Sequence, residues 1–384
     1  VRPLHVITPG DHYSPQTGSA IPTVVHGLCA HGPADAAKPH VAVARGTNPI
    51  RYTSADIIEY ESPTPIRYPL GLSSTRADAA TGRVGLPRFS ARRSYRAVLH
   101  DQDAWASSLI FGHNAPQLVP LVDTYRHIPI LYAHNQLLRT YSKREAGRTL
   151  SPAAAVICVS DFLAQQTVAH LPPHLHGRVR VVPNGVDTGL FFRRTPLRSS
   201  DVLTVTFVGR MIPEKGADVV LEALAMLNRD DIRLTLIGSR GFSATDPVTP
   251  FERAVRARAS ELGGRVEVQP FLPRDQVAEA LGSTDVVVVP SRWPEPFALT
   301  VLEGMASGAA VVGSAVGGIP ESVRGDHGFL VPPGDAVALA ETLEALADDE
   351  ALLRRTAEFG VRYATDHDWR YAARTLHRHV LELV

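Results

Sequence analysis

Short runs of β-branched and aliphatic residues recur along this chain in two successive series, with helix-length or polar segments between them. The first series is Leu4–Thr8, Val41–Ala44, Leu109–Phe111, Ile128–Tyr132, Ala155–Val159 and Val179–Val182. The second is Leu203–Val208, Ile232–Ile237, Val266–Val268, Asp285–Pro290, Ala310–Gly313 and Gly328–Val331. A strand that is apolar on both faces suits a parallel sheet covered by helices on each side, so the expected class is α/β with doubly wound sheets. At 384 residues the chain exceeds what one core organises. The polar stretch where the rhythm breaks therefore reads as a linker at 188–201, between an N-terminal domain over 1–187 and a second over 202–365. Residues 366–384 form a further segment, in which Ala372, Leu376, Val380 and Leu383 share one helical face. Helical spacing is equally clear over Ala217–Leu227. The segment Ser62–Arg93, rich in Pro, Gly, Ser and Arg, shows no sustained period and reads either as a lid or acceptor loop or as a surface excursion.

Charge narrows the partners. With 39 Lys+Arg against 39 Asp+Glu there is no broad attraction to nucleic acid, and any phosphate site must be local. Cys29 and Cys158 are the only cysteines, which fits a reducing, cytoplasmic setting better than a disulfide scaffold or a thiolate metal site. No run approaches the ~18 apolar residues of a spanning helix, and no signal segment is read at the N-terminus. No basic amphipathic anchor is evident either, which favours a small soluble acceptor. Only Lys38, Lys143 and Lys215 are lysines, so each deserves inspection. Oligomeric state is not legible.

The stretch DVVVVPSRWPEPFALTVLE, Asp285 to Glu303, carries the most chemistry. A buried strand runs into a proline-broken loop and then a helix from about Ala298, at the carboxyl edge of the sheet where open α/β folds bind ligands. The helix start at Phe297–Thr300 offers unpaired amides and a positive dipole end to a phosphate. Glu295 and Glu303 flank that seat, and ionised carboxylates accept hydrogen bonds from sugar hydroxyls. At the same edge VGRMIPEKG places Arg210 and Lys215 between strand and helix, a pair suited to holding a diphosphate. Gly317-Gly318-Ile319-Pro320-Glu321 follows the strand Ala310–Gly313 and allows close backbone approach.

The order GR-x4-KG, E-x7-E and GG-x-x-E resembles the donor-binding domain of the retaining, nucleotide-sugar-dependent glycosyltransferases of family 4. These have the GT-B fold, two Rossmann-like domains facing across a cleft. The specific match covers about 202–335. The resemblance implies that Arg210 and Lys215 hold the diphosphate and Glu303 the nucleotide ribose. It gives Glu295 and the amides of Phe297, Ala298 and Leu299 to the transferred sugar and its phosphate. In the first domain SPQTGSAIP has Gly18 at the phosphate-approach position, without the usual second glycine. The family places an active-site His after a strand, here His134 in Ala133-His134-Asn135. Gly112-His113-Asn114 follows Leu109–Phe111, making His113 and Asn114 acceptor-side candidates. In this family the end helix returns to the first domain.

The implied activity is retaining, front-face transfer of a sugar from an NDP-sugar, UDP-sugar by default, to a hydroxyl of an acceptor. The acceptor is expected to be a small soluble molecule such as a natural product or antibiotic precursor. No tightly bound cofactor and no Mg²⁺ requirement are expected. A nucleotide-sugar 2-epimerase or a phosphorylase on the same fold and a catalytically silent nucleotide-sugar-binding protein are the alternatives. The two D-x-D matches at Asp101-Gln102-Asp103 and Asp366-His367-Asp368 lack a strand context, and neither a GxxxxGKS/T phosphate loop, an HExxH zinc site, nor a GxSxG elbow occurs.

Overall fold

A computed structural model describes residues 2–33, 37–64, 73–241 and 247–383. The chain divides into two compact units. The first takes in the residues up to Ser14, Ser19–Pro183 and the residues from Ala372 onward; the second takes in Pro15–Gly18 and Asn184–Tyr371. Strands β1 (Arg2–Val6), β2 (His40–Ala44), β3 (Asp56–Tyr60), β4 (Ser108–His113), β5 (Ile128–Ala133), β6 (Ala155–Cys158) and β7 (Val179–Val181) form the first sheet. The second contains β8 (Leu203–Val208), β9 (Ile232–Ile237), β10 (Val266–Gln269), β11 (Val286–Val289), β12 (Ala310–Ser314) and β13 (Phe329–Val331). All pairings are parallel, in the orders β3-β2-β1-β4-β5-β6-β7 and β10-β9-β8-β11-β12-β13. Each order reverses beside the strand that opens its series, which places a topological switch point at β1/β4 and another at β8/β11.

The covering helices of the first unit are α1 (Ala20–Ala30), α2 (Ser74–Arg83), α3 (Phe89–Val98), α4 (Lys143–Leu150) and α5 (Asp161–His170). Those of the second are α6 (Ala217–Met226), α7 (Pro250–Glu261), α8 (Arg274–Leu281), α9 (Leu299–Ala306), α10 (Ile319–Ser322), α11 (Ala336–Asp348) and α12 (Glu350–Asp366). Helix α13 (Trp369–Leu381) ends the described chain. The centre of the second sheet shows why its strands read as unbroken apolar runs. Val286 and Val288 of β11 pack into one core with Phe207 and Leu224, while Val287 and Val289 pack into another, on the opposite face, with Met305 and Ile319.

Three expectations are corrected. Among the described residues the first sheet has seven strands rather than six; the additional one, Asp56–Tyr60, is an edge strand with Asp56 and Glu59 exposed, so it carries no continuous apolar signal. The segment Ser62–Arg93 is not simply a loop: beyond 65–72, which lie outside the described residues, it supplies α2 and leads into α3. The carboxylate of Asp78 in α2 accepts hydrogen bonds from the amides of Ser90 and Ala91, capping α3 from a neighbouring element where its own N-cap, Arg88, offers no acceptor. Gly112 and His113 belong to β4 itself rather than to the loop after it. Among the described residues no helix is long and apolar enough to cross a membrane.

Candidate functional site

In the second unit the loops after β8, β11 and β12 are locked together by glycines. Gly216 has φ +75°, and a Cβ there would lie 2.1 Å from the carbonyl oxygen of Pro290, so the Lys215 loop sits hard against the end of β11. Gly317, at φ +64°, would place a Cβ 2.3 Å from the carbonyl oxygen of Glu295, and the Gly318 amide donates to that oxygen at 2.7 Å. The backbone flanking Lys215 and Glu295 is thereby fixed from two sides. Lys215 Nζ donates to Glu295 Oε1 at 2.6 Å, and Ser291 Oγ donates to the same oxygen at 2.8 Å. Glu295 is buried and Lys215 partly exposed, so the pair presents a cation at the sheet edge above an anchored carboxylate. Helix α9 starts with no side chain capping its first amides. Phe297, Ala298 and Leu299, which lead into it, are half-buried.

Glu303 lies within α9, buried, with Arg274 Nη1 of α8 at 2.7 Å from its Oε1. The approach is an ion pair without hydrogen-bond direction, and among the described residues Oε1 accepts no hydrogen bond. A buried carboxylate oxygen in that state still has acceptor capacity for a ligand hydroxyl. Arg210 follows β8 and is exposed. The structure thus joins Lys215 to Glu295 directly and gives Glu303 a different cation. Arg274 and Ser291 were not singled out in the sequence; Arg274 is 29 positions from Glu303, and only helix packing pairs them.

In the first unit, His113 and His134 do meet, and they are joined by a residue that sequence reasoning missed. His5 Nδ1 of β1 lies 2.9 Å from His113 Nε2, and His113 Nδ1 lies 2.8 Å from His134 Nε2. The Tyr132 ring stacks on His113 and on His134, with centroids 4.9 Å apart in both cases. Asn114, at φ 52°, uses its side-chain oxygen to accept the His134 amide at 2.8 Å, so it braces the strand end. Gly18, expected in the first domain, is an exposed loop residue just before α1 and groups instead with the second unit. A histidine in the apolar strand PLHVI was the available signal for His5.

Burial pushes His5 and His134 down to about 3, and it holds His113 well below its ordinary value, with repulsion from His134 and His5 adding to the effect. All three imidazoles are therefore neutral. A neutral imidazole has one donor and one acceptor, so two consecutive N–H···N bonds run in one direction only if all three rings share a tautomer. The tautomer of His134 is consequently coupled to His5 two strands away. An unfolded chain protonates these histidines near pH 6.5 while the fold does not, so it binds more protons below that pH and stability must fall with acidification. The expected slope is up to about 1.4 kcal/mol per pH unit for each ring. Thermal midpoints measured from pH 7 to pH 5 should drop, and His113→Phe should flatten that drop.

Two Rossmann-like units, each with a parallel sheet that reverses beside its first strand, define a GT-B protein. Residues 21–190 match the family model described as Glycosyltransferase Family 4, and residues 191–362 the one described as Glycosyl transferases group 1. The chain belongs to glycosyltransferase family 4. It is 30% identical over 328 residues to the alpha-maltose-1-phosphate synthase of Mycobacterium tuberculosis, covering 77% of this chain and 82% of that protein. It is 30% identical to the D-inositol 3-phosphate glycosyltransferase of Corynebacterium efficiens and 32% identical to that of Acidothermus cellulolyticus. The matched stretches cover 66% and 60% of those two relatives, less than two thirds of their length. Among solved structures, Anabaena HepE in complex with UDP superposes with TM-score 0.75 at 16% identity over the whole of both chains. The sucrose-phosphate synthase of Thermosynechococcus elongatus does so with TM-score 0.74 at 21% identity, over 100% of this chain and 99% of its own.

Proposed function

We propose that this protein is a retaining glycosyltransferase that moves a sugar from a UDP-sugar to a hydroxyl of an acceptor. The observation that carries the reading is the Lys215–Glu295 pair, clamped by Gly216 and Gly317 at the β8/β11 switch point. Lys215 has two further N–H donors for a diphosphate, and Arg210 on the same connection adds a planar fork. The α9 N-terminus offers Phe297–Leu299 amides to the same phosphate. Glu303, whose buried Oε1 pairs with Arg274 but accepts no hydrogen bond among the described residues, takes a ribose hydroxyl, and Glu295 contacts the transferred sugar through the oxygen not used by Lys215. The UDP in the HepE complex supports a uridine nucleotide as the donor's carrier.

In this reading the bond from sugar C1 to the diphosphate oxygen breaks as the acceptor oxygen attacks the same face. The departing phosphate oxygen takes the acceptor proton, and Arg210, Lys215 and the α9 dipole stabilise its charge. These cations do the neutralising that a divalent metal does elsewhere, so no Mg²⁺ requirement is proposed. His134, neutral and with its tautomer set by His113 and His5, orients a sugar or acceptor hydroxyl rather than acting as a strong base. Gly18 is assigned to the phosphate approach. The acceptor is proposed to class only, a molecule presenting a hydroxyl.

The test is incubation with UDP-sugars and an acceptor panel, followed by determination of anomeric configuration; an inverted product overturns retention. Turnover with donor alone points instead to the epimerase reading. Glu303→Gln replaces a charged acceptor by a weaker one, and UDP should bind roughly tenfold or more weakly by calorimetry, with kcat less affected than KM. Unchanged UDP affinity would remove Glu303 from the ribose site.

A further inference from the structure

The chain carries no net charge, yet its cations are not evenly spread. Residues 73–98 and 137–150, which supply α2, α3 and α4 of the first unit, hold ten cationic side chains and only two acidic ones, Asp78 and Glu145. Both acids are buried and occupied. Asp78 holds the amides at the start of α3, and Glu145 accepts from Arg88 Nε at 2.7 Å. Neither is available to neutralise the surface. Among the described residues Arg83, Arg93, Arg96 and Arg148 form no ion pair.

These cations are brought onto one surface by packing. Helix α3 turns Tyr95 and Val98 into the core and presents Phe89, Arg92, Arg93 and Arg96 at i, i+3, i+4 and i+7 on another face. Arg148 of α4 reaches the α2–α3 turn, its Nη1 3.5 Å from where a Gly85 Cβ would stand. Arg92 is half-buried and donates its Nε to Gln117 Oε1 at 2.9 Å; burial, and then repulsion from Arg148 and Arg96, pull its guanidinium below its ordinary value. Around them stand Val84, Leu86 and Phe89, exposed by 75%, 50% and 52%. Three of the twelve large apolar side chains that stand out to solvent among the described residues fall within these six positions.

Apolar tips ringed by unneutralised arginines fit a surface that offers anions at one depth and hydrocarbon just below it. We propose that the α2–α3 turn and the exposed face of α3, flanked by Arg148, dock this protein on an anionic lipid bilayer. Arginines meet the headgroup phosphates, and Val84, Leu86 and Phe89 enter the acyl boundary. A nucleic acid or other soluble polyanion would use the charges but offers little to two exposed aliphatic side chains. The expectation of a small soluble acceptor rested on neutral charge and on the absence of a basic amphipathic anchor; α3 is basic and amphipathic, which leaves only the first of these. It went unseen because a ten-residue helix following a Pro- and Gly-rich stretch is too short to establish a period.

The experiment is co-sedimentation of the full chain with phosphatidylcholine vesicles, with and without phosphatidylglycerol, at low and raised salt. Pelleting is expected only with phosphatidylglycerol and should weaken with salt. Arg93→Glu/Arg96→Glu should reduce vesicle affinity by well over tenfold. Leu86→Ser/Phe89→Ser, which leaves every charge in place, should also reduce it, both variants keeping the wild-type thermal midpoint. Arg93→Gln/Arg96→Gln replaces the charge-reversed pair if that one melts early. Failure of the wild type to pellet with anionic vesicles overturns the proposal. So does equal pelleting with phosphatidylcholine alone, pelleting undiminished in the arginine variants, or retention on a heparin column without vesicle binding. Sedimentation needs neither donor nor acceptor, so its failure is distinct from failure of the transferase reading.

Discussion

Replacing Lys215 by alanine is expected to lower kcat/KM for sugar transfer by about 10²–10³-fold, the loss seen when one preorganised group facing a developing oxyanion is removed. The expectation follows from how Lys215 is held. Gly216 and Pro290 fix its backbone, and Glu295 fixes its ammonium with a 2.6 Å bond, so the cation is in place before the diphosphate arrives. A flexible surface lysine would lose less, because most of its charge is screened by water. The substitution also strands Glu295, a buried carboxylate that keeps only Ser291 as a donor to Oε1. Lys215→Arg separates the two effects, since it retains charge at Glu295 but displaces it from the phosphate. Initial rates with a UDP-sugar, beside a thermal melt of each variant, make the measurement. Wild-type rates in Lys215→Ala would remove the diphosphate role and with it the core of the transferase reading.

The largest expected effect on stability lies at Arg88, far in sequence from those loops. Its guanidinium is buried and bonded throughout. Nε and Nη2 donate to the two oxygens of Glu145 at 2.7 and 3.2 Å, and Nη1 and Nη2 donate to the side chain and carbonyl of Thr140 at 3.0 and 2.9 Å. The group also stacks over Tyr141, 3.5 Å from the ring centroid. Gly82 lies so close that a Cβ would stand 2.1 Å from Glu145 Oε1, so α2, the turn before α3 and α4 share one buried charge pair. Arg88→Ala leaves Glu145 without its partner inside the protein, which should cost about 3–5 kcal/mol. For a unit of this size that is a fall of roughly 6–20 °C in thermal midpoint. Arg88→Lys keeps the charge but not the fork, and should recover only part of the loss. In the double variant Arg88→Met/Glu145→Met the penalties should fall well short of additive, because no charge is left unpaired. Additive losses would show that the pair is not the source.

Much of the architecture is legible in the sequence. Valines 286–289 alternate between two cores, and a strand that must satisfy both faces cannot conceal its apolar character. Strand Asp56–Tyr60, at the sheet edge, has only part of one side to bury, so its charged residues masked it. The donor-side candidates Lys215, Glu295 and Glu303 were found because each lies within a few residues of a strand end or helix start that local patterning reveals. Their partners were not found. Arg274 meets Glu303 through the packing of α8 on α9, and His5 meets His113 through the pairing of β1 with β4, more than a hundred residues on.

Composition, periodicity and loop chemistry are local properties, and they were enough to establish the α/β class, the two strand series and the loops that carry the charged residues. Which charges neutralise one another is a matter of through-space distance. That Lys215 faces Glu295, that three neutral histidines share one tautomer, and that Asp78 and Glu145 are used up internally while the arginines around α3 stay uncompensated, all depend on strand order and helix packing. Coulombic attraction and hydrogen bonding act over a few ångströms, and only the folded chain brings residues so distant in sequence within that range.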